Sequence, residues 1–233
     1  MKVSRTVPSR SSRSSARRRA AVLAAGAALL LSSCSSNPPG VAADVNGPRI
    51  TDQQVDDFAK VLCSLSSQGG SAAQPSSTAR FSSLQILLGN ELAEGMTDVS
   101  SVSESAVSQA MQQLETSRSA LPASLRSTFD TVAREYAQAQ TAIVDLGRKS
   151  LESQGKQNVS DQDAFEEGDR LRTQYASKAD IEIDPRFGTM EDGQLKAEDG
   201  SLSVPVSSFA REASKAQPSS SLVAQLPASQ KCS

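Results

Sequence analysis

The chain has 233 residues, with 24 Lys and Arg against 26 Asp and Glu, and its aromatic residues are six Phe and two Tyr. A core so poor in aromatic side chains has to be built from Leu, Val, Ile and Ala, which favours a helical domain over a β-sandwich. The chain contains no His, which excludes Ser-His-Asp catalysis, Cys-His catalysis and every zinc site that needs a histidine.

The first 33 residues have the composition of an export signal. Residues 2–19 carry seven Lys and Arg and no acid, and the apolar run 20–31 (AAVLAAGAALLL) leads into Leu31-Ser32-Ser33-Cys34. This run is shorter than the roughly 20 residues of a membrane-spanning helix. The pattern therefore predicts a lipoprotein signal peptide that is cut after Ser33, with lipid attached to Cys34. The alternative is an uncleaved anchor with an incidental cysteine.

Removal of this segment would leave an acidic protein. Subtracting its seven basic residues from 24 leaves 17, and 17 against 26 acidic residues is a net charge of −9. Such a charge argues against a nucleic-acid partner and against adhesion to anionic lipid through basic patches. We therefore expect a covalent lipid anchor on Cys34, which would hold the protein at the extracytoplasmic face of the cell membrane. A polar tether (residues 34–42) would follow it.

Residues 43–178 are predicted to form a helical domain that begins with a short extended hook around an Asn46-Gly47 turn. The first helix is signalled by Thr51 as N-cap with Gln54 three residues on, the pattern of a capping box. Apolar residues at spacings of three and four then predict about five helices. These cover residues 51–68, 78–95, from 103 to the break at Pro122, 123–153 and 160–177.

The pattern changes after residue 178. Residues 179–184 alternate apolar and polar side chains, and so do residues 201–206, which predicts a small two-stranded β-ribbon over 179–206 with an acidic loop at its tip. Residues 207–233 are rich in Ser, Ala, Gln and Pro, which predicts a flexible tail. The fold class is thus mainly α, with an N-terminal hook and a C-terminal ribbon.

The three cysteines support an exported protein. Lipid on Cys34 would leave Cys63 and Cys232 as an even pair in an oxidising compartment, where a disulfide is expected. The alternatives are that Cys63 is a small buried side chain and that Cys232 is free or pairs between molecules.

The order of short motifs resembles one group of folding factors. Val45-Asn46-Gly47, Ile50-Thr51 and the segment 102–107 (VSESAV) resemble the N-terminal chaperone module of SurA-like periplasmic proteins. The segments 183–188 (IDPRFG) and 200–203 (GSLS) are similar to lipoproteins of that group from high-GC Gram-positive bacteria. The resemblance covers about residues 43–206. It implies a helical cradle that binds unfolded exported chains.

Many relatives in that group also carry a parvulin-type prolyl isomerase domain. Such a domain needs on the order of 90 to 100 residues, and about 54 residues follow position 179. The absence of His removes another feature usual in parvulin sites. We therefore expect a module without isomerase activity, no cofactor and no metal. The acidic groups at 56–57, 166–169 and 180–184 are expected on solvated faces rather than in a catalytic pair.

The resemblance leads to a set of candidate client-binding residues on the apolar helix stripes: Phe58, Phe81, Leu84, Leu88, Phe129 and Tyr136. An apolar stripe at helical spacing normally faces the core, so client binding requires that several of these side chains remain exposed as a patch. The alternative functions are a structural or partner-specific envelope lipoprotein and a degenerate prolyl isomerase. The sequence leaves the partner and the oligomeric state undetermined.

Overall fold

The computed structural model describes residues 38–68, 74–197, 207–213 and 219–232. The predicted signal peptide, its cleavage position at Ser33 and the lipidation residue Cys34 lie outside the described residues. The predicted second strand of the ribbon, 201–206, lies outside them as well.

The helical domain follows the predicted order. Its helices are α1 (Asp52–Gln68), α2 (Ser76–Met96), α3 (Glu104–Ala120), α4 (Ala123–Ser153) and α5 (Asp161–Ala176), with a 3-10 turn at Val99–Ser101 before α3. The capping box forms as predicted: the Gln54 amide donates to Thr51 Oγ1 at 3.2 Å, and the Thr51 amide donates to Gln54 Oε1 at 2.8 Å. Ser160 caps α5 by accepting the Asp163 amide at 3.1 Å. The mainly α fold class is confirmed.

The core is centred on the leucine stripe of α2. Leu84, Leu88 and Leu92 are buried, and they belong to one cluster with Phe58 of α1 and Phe129 of α4. Burial of large aliphatic side chains contributes roughly 1.5 to 3 kcal/mol each. This stripe therefore holds the other helices around α2.

Helices α4 and α5 cross with their backbones in close contact. Gly147 of α4 faces Ala164 and the Gly168 amide of α5, and Gly168 faces Ile143 of α4. An ideal Cβ on Gly147 would lie 2.6 Å from the Gly168 nitrogen, and one on Gly168 would lie 2.8 Å from Ile143 Cγ2. The two glycines therefore allow the axes of α4 and α5 to approach closely, and any larger residue at either position would push the helices apart.

The predicted hook is part of a three-stranded antiparallel sheet. Strand β1 (Val41–Val45) turns at Asn46, which has φ 56°, into β2 (Arg49–Thr51). The other neighbour of β1 is β3 (Ile181–Ile183), with Ala43 opposite Ile183. The partner predicted for residues 179–184, residues 201–206, lies outside the described residues. Within them β3 pairs with the hook, and Ile181 and Ile183 pack against the core.

A two-stranded antiparallel hairpin near the C-terminus confirms the predicted β-ribbon, although other residues form it. Strands β4 (Thr189–Glu191) and β5 (Gln194–Lys196) pair with Met190 opposite Leu195. Asp192 and Gly193 form the two-residue turn with φ values of 52° and 74°, as type I′ hairpin turns require. The turn lies on the C-terminal end of α5, because a Cβ on Gly193 would be 3.3 Å from the Thr173 carbonyl carbon.

Part of the segment predicted as a flexible tail is folded. It contains α6 (Ser208–Ala213), α7 (Ser220–Gln225) and a 3-10 turn at Ala228–Gln230, and Leu222 and Val223 of α7 are buried. The Cys232 amide donates to the Gln74 carbonyl at 2.9 Å. The predicted disulfide joins Cys63 of α1 to Cys232, with 4.7 Å between the two Cα atoms.

Candidate binding groove

An open groove with a volume of about 650 Å³ lies between α2, α5 and the β4–β5 hairpin. We call it the α2–α5 groove. Helix α2 lines it with Phe81, Gln85, Leu88, Gly89 and Leu92, α5 lines it with Asp169, Arg172 and Thr173, and residues 193–197 form the third wall. The α2 wall from Phe81 to Leu92 is about 16 Å long at 1.5 Å per residue.

The groove combines an apolar floor with charged walls. Phe81, Leu88 and Leu92 supply apolar surface from α2. On the α5 wall, Arg172 is paired with Asp169 of the preceding turn. Arg172 also lies against α2, because a Cβ on Gly89 would be 3.1 Å from Arg172 Nη1. This arginine therefore covers the gap that the glycine leaves.

The hairpin wall contributes a lysine ammonium. Lys196 is exposed, and its Nζ donates to the Gln194 side-chain oxygen at 2.9 Å. With Arg172 and Asp169, this gives two cations and one carboxylate around the groove. The groove is thus locally basic in a chain that has more acidic than basic residues overall.

The six predicted client-binding residues do not form one exposed patch. Phe58, Leu84, Leu88 and Phe129 are at most 6% exposed and belong to the core. Phe81 is partly buried against that core and lines the α2–α5 groove, where Leu88 also reaches the floor. Tyr136 is 42% exposed and lies outside the groove. Within the described ranges, the exposed large apolar side chains are Tyr136 and Phe165.

Residues that the candidate set missed complete the groove. Gln85, Asp169, Arg172 and Lys196 are polar, and they come from three separate elements of the chain, α2, α5 and the hairpin. Their local sequences contain no motif that marks a binding site. Only the packing of α2 against α5 and the hairpin brings them together.

Most of the acidic groups singled out in the sequence have structural partners. Asp56 pairs with Arg80 at 2.5 Å, and Asp184 pairs with Arg186 at 2.7 Å. The hydrogen bonds from Arg186 lower the pKa of Asp184. These ion pairs lie around Phe187, whose ring centroid is 4.9 Å from the Arg80 guanidinium and 5.8 Å from that of Arg186.

Arg186 also binds Asp52 of α1 at 2.8 Å. The cluster therefore ties the loop after β3 to α1 and α2. Of the predicted acidic group at 180–184, Asp184 therefore has a packing role, because it holds Arg186 in this cluster.

A separate carboxylate group lies between α2 and α4. Burial raises the pKa of Glu91, and the nearby charges of Glu94 and Glu135 raise it further. Burial is also the main cause of the raised pKa of Glu135, with Glu94 adding to it. Among the described residues, no group of three or more Cys, Asp or Glu is arranged to hold a metal ion. This set is therefore a source of repulsion between two packed helices.

The comparisons with known proteins give a single result. No protein-family model, no curated protein and no solved structure matches this chain. In the part of the chain that the structure describes, no helix has the length and apolar character needed to cross a membrane.

Proposed function

We propose that the protein is a lipid-anchored, extracytoplasmic lipoprotein whose folded part binds exported polypeptides in the α2–α5 groove, in a chaperone-like manner and without isomerase activity. The α2–α5 groove is the observation on which this proposal depends most. It offers both apolar contacts and hydrogen-bonding groups over about 16 Å, which suits an extended segment of unfolded chain better than a compact small ligand.

The export part of the proposal depends on two independent features. The first is the signal composition before Cys34, with its apolar run and small residues. The second is the Cys63–Cys232 disulfide, because such bonds persist in oxidising compartments and are rare in the cytosol. The resemblance to SurA-like modules points in the same direction and implies the class of client.

A second candidate function is a partner-specific envelope lipoprotein. It is favoured by the burial of four of the six candidate residues, Phe58, Leu84, Leu88 and Phe129. A chaperone that accepts many clients normally presents a broad apolar surface, whereas the described surface exposes few large apolar side chains. A single partner could be recognised through the polar walls of the groove.

The anchor is tested by metabolic labelling with radioactive palmitate. The full chain is expected to take up label and to fractionate with membranes, whereas Cys34→Ala is expected to lose both properties. Cys63→Ala is the matched control, because it removes a cysteine that the proposal places in a disulfide. Equal labelling of the Cys34→Ala variant would refute the anchor.

The binding activity is tested on residues 35–233 with a reduced, unfolding test protein. Suppression of its aggregation at equimolar concentration is expected, with no acceleration in a prolyl isomerase assay run alongside. Acceleration would instead support the degenerate isomerase. If neither activity is found, a pull-down distinguishes the remaining candidate, since a fixed partner is recovered stoichiometrically and chaperone clients are recovered as a mixture.

A further inference from the structure

The third wall of the α2–α5 groove is the edge of a β-strand. Side chains of consecutive strand residues point to opposite faces of a sheet, so one face of β5 can present only alternate residues. The groove is nevertheless lined by the whole run 193–197, and no residue of β4 lines it. The side of β5 that points away from β4 therefore borders the groove.

The register shows which backbone groups this edge presents. Glu191 and Gln194 flank the two-residue turn, so they form a hydrogen-bonded pair, and the alternation of an antiparallel ladder makes Met190 and Leu195 a non-hydrogen-bonded pair. The amide and carbonyl of Leu195 consequently point away from β4. Within the described ranges the hairpin sheet has two strands, so β5 has one neighbour.

The side chains around this edge differ between its two faces. Leu195 is 7% exposed and points to the core side, where Phe81, Leu88 and Leu92 lie in the groove. Gln194 and Lys196 point to the exposed side. A lysine on an edge strand opposes pairing with neutral or basic strands, but it attracts a strand that carries a carboxylate opposite or diagonal to it.

We propose that the α2–α5 groove takes an extended polypeptide segment as an added antiparallel strand on β5, with alternating apolar and acidic side chains. An apolar side chain opposite Leu195 would face the α2 floor, and the residues beside it would place carboxylates near Lys196. The backbone of that apolar residue would exchange hydrogen bonds with Leu195. The groove length corresponds to about five extended residues. This inference rests on the proposed function, because the occupant is an exported polypeptide.

The first test uses the full chain in mild detergent and a short blocked peptide that alternates glutamate and leucine, labelled for fluorescence anisotropy. Binding is expected. The same peptide N-methylated at its leucines should not bind, because it cannot donate to the Leu195 carbonyl. A peptide with lysine in place of glutamate should bind more weakly. Equal binding of the N-methylated peptide, or no binding of the parent peptide, would overturn the proposal.

Two variants locate the site. Lys196→Glu is expected to weaken binding of the acidic peptide about five- to tenfold, while Lys156→Glu, an exposed lysine in the turn after α4, leaves it unchanged. Gln85→Trp fills the groove from an exposed position on α2 and should abolish binding. Gln113→Trp, on the exposed face of α3, is its control. Equal effects of each variant and its control would place the peptide elsewhere.

Hydrogen exchange examines the strand edge directly. The Leu195 amide should exchange rapidly in the free chain and become protected when the peptide binds. Protection without peptide would show that the edge is already paired, which would overturn the proposal. The aggregation assay separates the two proposals. If Gln85→Trp still suppresses aggregation, the chaperone function stands and the groove is not its site. If the chain binds the peptide but suppresses no aggregation, the edge site stands and the chaperone function fails.

Discussion

The contact between α4 and α5 gives a quantitative prediction for Gly168→Ala. Alanine is favoured over glycine inside a helix by up to about 1 kcal/mol. Here, however, the new Cβ would meet the backbone of Ile143 as well as its Cγ2 at 2.8 Å, where carbon atoms prefer about 3.5 to 4.0 Å. Backbone atoms cannot rotate away, so the two helices must separate by about 1 Å to restore the preferred carbon–carbon distance.

We expect this separation to cost about 3 kcal/mol, the upper end of the usual range for overpacking. The net loss in unfolding free energy is then about 2 kcal/mol after the gain in helix propensity. Gly89→Ala is the matched control, because its Cβ would meet only the flexible end of Arg172, at 3.1 Å. That variant should be neutral or more stable by up to about 1 kcal/mol.

The assay is urea unfolding followed by far-ultraviolet circular dichroism, with the disulfide intact in all variants. With a typical slope of about 2 kcal/mol per molar urea, the midpoint of Gly168→Ala should fall by about 1 M. The control should not fall. If Gly168→Ala and Gly89→Ala unfold at the same urea concentration, the two helices do not cross as closely as described.

Three further predictions concern stability. Replacing both Cys63 and Cys232 by Ser should lower the unfolding free energy, measured by urea unfolding, by about 5 kcal/mol, because the closed loop spans about 170 residues. A loss of less than about 1 kcal/mol would show that the unfolded chain is already constrained without the disulfide. The raised pKa values of Glu91 and Glu135 mean that the folded state disfavours their charge, so stability should increase as the pH falls through those values. Glu91→Gln should therefore stabilise the protein at pH 7, and a gain of the same size well below the ordinary glutamate pKa would contradict this cause. Hydrogen bonds from Arg170 and Ser150 lower the pKa of Glu167 from 4.5 to about 2. The ionised Glu167 therefore stabilises the fold above pH 4.5, and this stabilisation is lost as the pH falls towards 2. Glu167→Gln should reduce the loss of unfolding free energy between these pH values, and an unchanged pH dependence would refute the role of these hydrogen bonds.

The helix boundaries were predictable because local chemistry determines them. The side chains of Thr51 and Gln54 each accept a hydrogen bond from the other's backbone amide, whatever the position of the rest of the chain. Pro122 separates one helix from the next, which begins at Ala123. Such signals act within one turn of helix. They need no information about tertiary contacts.

The strand pairing was not predictable in the same way. Alternation identified Ile181–Ile183 as a strand, but a period of two does not name the partner, and Ile183 pairs with Ala43 far away in the chain. The hairpin did have a local signal, since an Asp-Gly pair between short strands favours a type I′ turn. Asp192-Gly193 lies instead within the acidic loop predicted between residues 184 and 201.

The groove depends on contacts that periodicity cannot describe. Helical spacing identifies the face that becomes core, which is why the candidate set contained buried residues such as Leu84 and Phe129. The groove walls are formed beside the buried face of each helix, by polar residues such as Gln85 of α2 and Arg172 of α5. Their role depends on how three separate elements pack.

The Cys63–Cys232 bond also makes residues 63–232 a covalent ring, from which the first part of the domain extends as a branch. A protease that cuts once within this ring opens it but releases no fragment, since both pieces remain joined through the disulfide. After such a cut, a non-reducing gel would show one band and a reducing gel two. A single cut therefore leaves the α2–α5 groove and the N-terminal part of the chain in the same molecule.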